Sequence, residues 1–134
     1  METVAEETIE TSSVRVTRQV DRPLAQVWDT LMRPGGASLI LGPGGELGNK
    51  GEDWQADDGT YGITRSFHPK EQIRFSWHAY DGAPRTLVDL QLHAAGEDAT
   101  ALELVHEHLP EDADRDGLRK HWEDALDRIA TAAE

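Results

Sequence analysis

The chain has 134 residues, no cysteine, and 26 acidic against 13 basic side chains, for a net charge of −13. That length suits one domain able to bury roughly two thirds of its unfolded surface, and the lack of thiols excludes disulfides and thiolate metal sites. The negative field excludes nucleic acid and anionic lipid as partners, because few Lys and Arg are present to neutralise phosphates.

Residues 1–13 are polar and acidic, with Val4 and Ile9 as their only branched aliphatic side chains. They are expected to form a flexible tail, and without a basic stretch and an apolar core they do not read as a signal peptide. No apolar run approaches the roughly 20 residues that span a bilayer. A cytoplasmic domain without a membrane span is the resulting expectation.

A single domain is expected over residues 14–134. Val14 to Val20 alternates apolar and polar residues with period two, the pattern of a half-buried strand. Pro23 then suits a first helical position, and Leu24, Val27, Trp28 and Leu31 follow at helical spacing as one apolar stripe. Pro34-Gly35-Gly36 ends that helix. Ala37 to Leu41 is a short apolar segment, read as one helical turn or an ordered loop. The glycine-rich stretch from Gly35 to Gly51 lacks the lysine and the strand-to-helix context of a phosphate loop. It is expected to act as a mobile flap.

Glu46-Leu47 and Glu52 to Ala56 are expected as short strands, and Asp57-Asp58-Gly59 as a hairpin turn. Thr60 to His68 sets Tyr61, Ile63, Arg65 and Phe67 on one side of a longer strand. Gln72 to Ala79 does the same with Ile73, Phe75, Trp77 and Ala79. In the strand from Arg85 to Ala94, Val88, Leu90 and Leu92 share a face. The last strand, Thr100 to Leu109, runs through Leu102, Leu104 and His106 into Pro110. A long helix carrying Leu118, Trp122, Leu126 and Ile129 closes the chain, with Glu111, Asp112, Asp114 and Asp116 at its positive dipole end. Strands clustered between helices argue for an α+β fold with about six to seven antiparallel strands.

Several of these words, in this order, resemble the helix-grip domains of the START-like, birch-pollen-allergen-like superfamily. The closest likeness is to bacterial proteins named after the activator of the ninety-kilodalton heat-shock protein ATPase. It is carried by Val14 to Arg18 with Asp21 to Trp28, by Ile73 to Trp77, by Thr86 to Val88, by Leu102 to His106, and by Asp116 to Leu118 with Trp122 to Asp127. The resemblance implies a curved antiparallel sheet wrapped around the long C-terminal helix, with two short helices after the first strand. Two positions depart from such proteins. Leu39-Ile40-Leu41-Gly42-Pro43 replaces a Trp-Trp-Gly word, and His121 stands where a glycine usually precedes the helix tryptophan. A bulky imidazole there is expected to narrow or polarise the pocket.

The function expected of that architecture is binding of a small, largely hydrophobic molecule between sheet and helix, for sequestration, transport or resistance. Expected wall residues are Trp28, Leu39, Leu41, Trp54, Tyr61, Trp77, Leu90, His106, Trp122 and Leu126. Each aromatic among them also suits core packing, and Trp54, between Asp53 and Gln55, is the one least explained by it. The family name implies an alternative, a co-factor acting on a chaperone ATPase through its surface. A third reading makes the protein a small cyclase or hydrolase with His106 as acid or base, against a plainly structural, hydrogen-bonded imidazole.

A metal site would need His106, His108 and His121 to converge with Glu107 or Asp124, yet Glu107 has the opposite strand parity, so no metal is expected. No cofactor is expected either, and the chain is expected to be a monomer or weak dimer. Arg65 is costly if it points inward and unremarkable if a bulge turns it out.

Overall fold

A computed structural model of the chain describes residues 13–134. The acidic tail expected at residues 1–13 falls, apart from Ser13, outside them. Strand β1 is Val14–Val20, helix α1 Leu24–Met32 and helix α2 the single turn Ser38–Leu41. Strands β2 (Asp53–Gln55), β3 (Tyr61–His68), β4 (Gln72–Trp77), β5 (Thr86–Ala94) and β6 (Thr100–Glu107) follow, and α3 (Arg115–Ala132) ends the chain. The strands form one antiparallel sheet in the order β1-β6-β5-β4-β3-β2. This curved open sheet with its C-terminal helix is the α+β helix-grip architecture expected from the sequence.

Register follows from one-sided burial. Val88, Leu90 and Leu92 on β5 lie on the same face as Leu102, Leu104 and His106 on β6, paired Val88 to His106, Leu90 to Leu104 and Leu92 to Leu102. Sliding either strand by one residue would turn its own three outward. Helix α3 buries Trp122, Ala125, Leu126 and Ile129 against this face. Its first turn is capped by Asp114, whose carboxylate accepts a hydrogen bond from Gly117 N at 3.0 Å. Glu111 and Asp112 thus precede the helix rather than open it.

The short helices close the end of the grip next to the C-terminal half of α3. Arg128 Nε donates to Leu39 O at 3.1 Å, and Gln26 donates to Ala133 O. Between α1 and α2 the chain folds back so tightly that a Cβ on Gly36 would lie 2.2 Å from Thr30 O. At the opposite edge, Arg115 donates to Ser13 O at 3.0 Å and Arg119 to Arg15 O at 3.1 Å. Arginines from α3 therefore occupy main-chain acceptors at and just before the start of the edge strand β1.

Two local expectations change, at Glu46-Leu47 and on β3. Glu46-Leu47 is not a strand. The glycine-rich stretch is tied to its neighbours, with Asp57 N donating to Pro43 O at 2.7 Å and Gly51 N to Thr64 O at 2.8 Å. On β3, Gly62 and Thr64 are the buried residues, and Tyr61 and Ile63 lie on the other side. Trp54, paired with Gly62 across the β2–β3 hairpin, explains the reversal. A Cβ on Gly62 would sit 1.9 Å from Ser76 O and 2.9 Å from Trp54 Nε1, so the indole of Trp54 supplies the apolar cover there. A bulge between Thr64 and Ser66 then shifts the parity. Arg65 is left exposed, and Phe67 packs against the core.

Candidate functional site

The inward strand parity that places His106 beneath α3 also surrounds it with rings. Its imidazole is 0% exposed. Trp122 Nε1 donates to His106 Nδ1 at 3.0 Å, and His106 Nε2 lies 2.7 Å from Thr86 Oγ1. The Thr86 hydroxyl donates its single hydrogen to Trp77 O at 2.7 Å, so it must accept from His106. The imidazole is therefore neutral, with its hydrogen on Nε2 and its lone pair on Nδ1 taken by the indole. Burial, and then the neighbouring His121, push its pKa down to about 3. With both ring nitrogens committed, His106 ties helix to sheet and has no free lone pair for proton abstraction.

Edge-to-face packing completes the cluster. The Trp77 and Trp122 rings lie 4.9 and 5.6 Å from His106 and 5.7 Å from each other. His121 stands edge-on to Trp122 at 4.5 Å and lies 6.0 Å from Trp77. Its pKa is held below the ordinary value by burial and by Arg128, against the opposing pull of Asp58 and Asp124. The imidazole at 121 thus adds ring volume to one flank of the cluster. Among the described residues, no three His, Asp or Glu side chains gather to hold a metal ion. His108 is exposed at the strand's end, with φ 63°.

The expected wall residues separate into two groups. Trp28, Leu41, Trp54, Trp77, Leu90, Trp122 and Leu126 belong to one continuous apolar core with Leu39 partly buried against it, and His106 lies within the same layer. Trp54 meets Phe75 edge-on at 5.7 Å and donates from Nε1 to Ser76 O at 3.2 Å, so packing accounts for it after all. Tyr61 lies apart from these, on the outer face of the sheet, stacked on His78 at 4.4 Å with an interplanar angle of 2°.

Open space adjoins the cluster at one end. A pocket of about 390 Å³ lies between the β4–β5 turn, the segment joining β6 to α3, and the first turns of α3. Trp77 and Thr86 form its inner side, with Ala83, Pro84, Leu109 and Leu118 around them. Trp77 is 6% exposed, and among the described residues nothing accepts a hydrogen bond from its Nε1–H. Sequence reasoning passed over Thr86, whose parity with Val88 and Leu90 was the available signal. It also passed over Ala83, Pro84 and Ala113, which come from turns without periodicity.

Among solved structures, CalU16 from Micromonospora echinospora is 27% identical, with a TM-score of 0.75, over 91% of this chain and 76% of that one. DynU16, a putative protein in the dynemicin biosynthetic locus, is 24% identical with a TM-score of 0.72. That match covers 90% of this chain but 46% of DynU16, so the chain spans less than half of that neighbour. PFC0360w, an HSP90 activator from Plasmodium falciparum, shares the fold at 16% identity, with a TM-score of 0.73 over 90% of this chain and 94% of that one. No curated protein matches the sequence significantly. Among the described residues, no helix is long and apolar enough to cross a membrane. The family model for activator of Hsp90 ATPase homolog 1-like proteins matches residues 21–134, and with the helix-grip fold in place the chain belongs to that family.

Proposed function

We propose that the protein binds a small, largely apolar molecule, and that the binding position is the end pocket beside Trp77. The observation that carries this reading is the pocket itself. At about 390 Å³ it falls within the range of roughly 300–1,000 Å³ typical of small-molecule sites. Its lining is mainly aliphatic and aromatic, and the ring at its inner wall carries an indole N–H without a partner. A flat apolar ligand would lie against the Trp77 ring while covering Leu109, Pro84 and Leu118. This moves the site from the middle of the sheet–helix interface, where His106 and Trp122 interlock, to its open end. Sequestration, transport and protection against a toxic metabolite are the roles such binding serves.

Titration with 1-naphthol, followed by amide and indole N–H shifts, tests the proposal. The expected shifts are at the Trp77 indole, Ala113 and Leu118, and Leu118→Trp, which fills the pocket, should abolish them. Unchanged naphthol binding in Leu118→Trp, or shifts confined to other surfaces, would overturn the assignment.

A further inference from the structure

The opposite face of the sheet holds a second site of different chemistry. Tyr61 on β3 and His78, just beyond β4, form an isolated antiparallel bridge, with His78 N donating to Tyr61 O at 2.8 Å. Their side chains project from the same outer face and stack with ring centroids 4.4 Å apart. His78 is fixed in orientation because its Nδ1 lies 2.9 Å from Ala83 O. A carbonyl only accepts, so Nδ1 carries the hydrogen, and neutral His78 presents Nε2 as an acceptor. Among the described residues, nothing hydrogen-bonds to Nε2.

The stacked pair lines an open cleft of about 860 Å³ that also includes Ile63, Tyr80, Asp53 and Asp81. Tyr80 is 63% exposed, one of two large apolar side chains so placed among the described residues. Both carboxylates are exposed, and no Lys or Arg contributes to the lining. Arg65, the one cation on β3, lies in the bulge outside it. The cleft therefore combines aromatic rings, two negative charges and a ring acceptor, within a chain of net charge −13. Rings attract cations through their quadrupole, and carboxylates add direct attraction. An anion would meet repulsion from both Asp residues, whereas a neutral molecule would gain only the apolar contact.

We infer that this outer cleft binds a small organic cation, an ammonium group carried on a flat apolar body. The ammonium sits between Asp53, Asp81 and the His78 Nε2 acceptor, while the apolar body lies on Tyr61, Tyr80 and Ile63. The cleft and the pocket beside Trp77 share Tyr80 in their linings, while Tyr61, Ile63, His78 and Asp53 belong to the cleft alone.

Three probes of matched shape decide the point: phenethylamine, 2-phenylethanol and 3-phenylpropionate, titrated at millimolar concentration against the isotope-labelled protein. Phenethylamine should shift Tyr61, Ile63 and His78, which line the cleft alone, and bind about tenfold more tightly than the alcohol or the acid. Its affinity should fall as salt rises. Asp53→Asn and Asp81→Asn, both at exposed positions that line the cleft alone, should each weaken it about fivefold without lowering the melting temperature. Equal binding of the alcohol, shifts only at Ala113 and Leu118, or no shift with phenethylamine would each overturn the inference. Shifts at Ala113 and Leu118 would leave the end pocket standing, so the two sites fail separately.

Discussion

His106 makes folding stability depend on acid in a way that can be worked out in advance. In the unfolded chain the imidazole titrates at the ordinary value of 6.5, whereas in the fold it is pushed down to about 3. Between those values the unfolded chain binds a proton that the folded chain refuses. The stabilisation is therefore fully present above pH 6.5 and is lost as pH falls, at about 1.4 kcal/mol per unit. From pH 7 to pH 5 this amounts to about 2 kcal/mol from one side chain. His106→Gln provides the comparison, since its amide can accept from Trp122 Nε1 or donate to Thr86 but does not titrate. Urea unfolding followed by tryptophan fluorescence at pH 7, 6 and 5 measures both proteins. The carboxylates and His121 are common to both, so the stability gap between them isolates residue 106. That gap should narrow by about 2 kcal/mol on acidification, whatever its size at pH 7. A gap that stays constant across the range would refute the buried neutral imidazole.

Two further substitutions probe the packing around it. Thr86→Val removes the acceptor for His106 Nε2 and the donor to Trp77 O, and should cost about 2–3 kcal/mol in urea unfolding, with Thr86→Ser recovering most of it. Gly62→Ala places a Cβ 1.9 Å from Ser76 O, beneath the Trp54 indole. It should cost about 3 kcal/mol and lower the melting temperature by several degrees; an unchanged melting temperature would show that β2 is not held against β3 as described.

The strands β5 and β6 and the helix α3 were legible in the sequence because each buries one face, and their apolar residues sit there with the right period. The inward direction of His106 followed from Leu102 and Leu104 alone. Strand β3 was not legible for the converse reason. Its apolar residues Tyr61 and Ile63 lie outside, its inner positions are Gly62 and Thr64, and the cover for them arrives from Trp54 on another strand. Alternation reports which face is apolar, and here that is the face turned outward. The interior was not legible on a different ground. Whether a grip encloses space depends on the summed volumes of rings from separate elements, and His121 reads as one residue among 134 until Trp77 and Trp122 are beside it.

The chain of hydrogen bonds from Trp122 through His106 and Thr86 to Trp77 also fixes where the helix sits. Apolar stripes are forgiving: Leu118, Trp122, Leu126 and Ile129 repeat closely enough that a slide of one helical turn, about 5.4 Å, would set similar side chains against the same strands. A directional bond from one indole to one imidazole nitrogen does not repeat. It works as a dowel through two plates, giving α3 a single axial setting on the sheet. A variant such as Trp122→Phe keeps the grease and loses the pin. Its melting curve should change less than the sharpness of its amide spectrum, because the helix would then share its time among neighbouring settings.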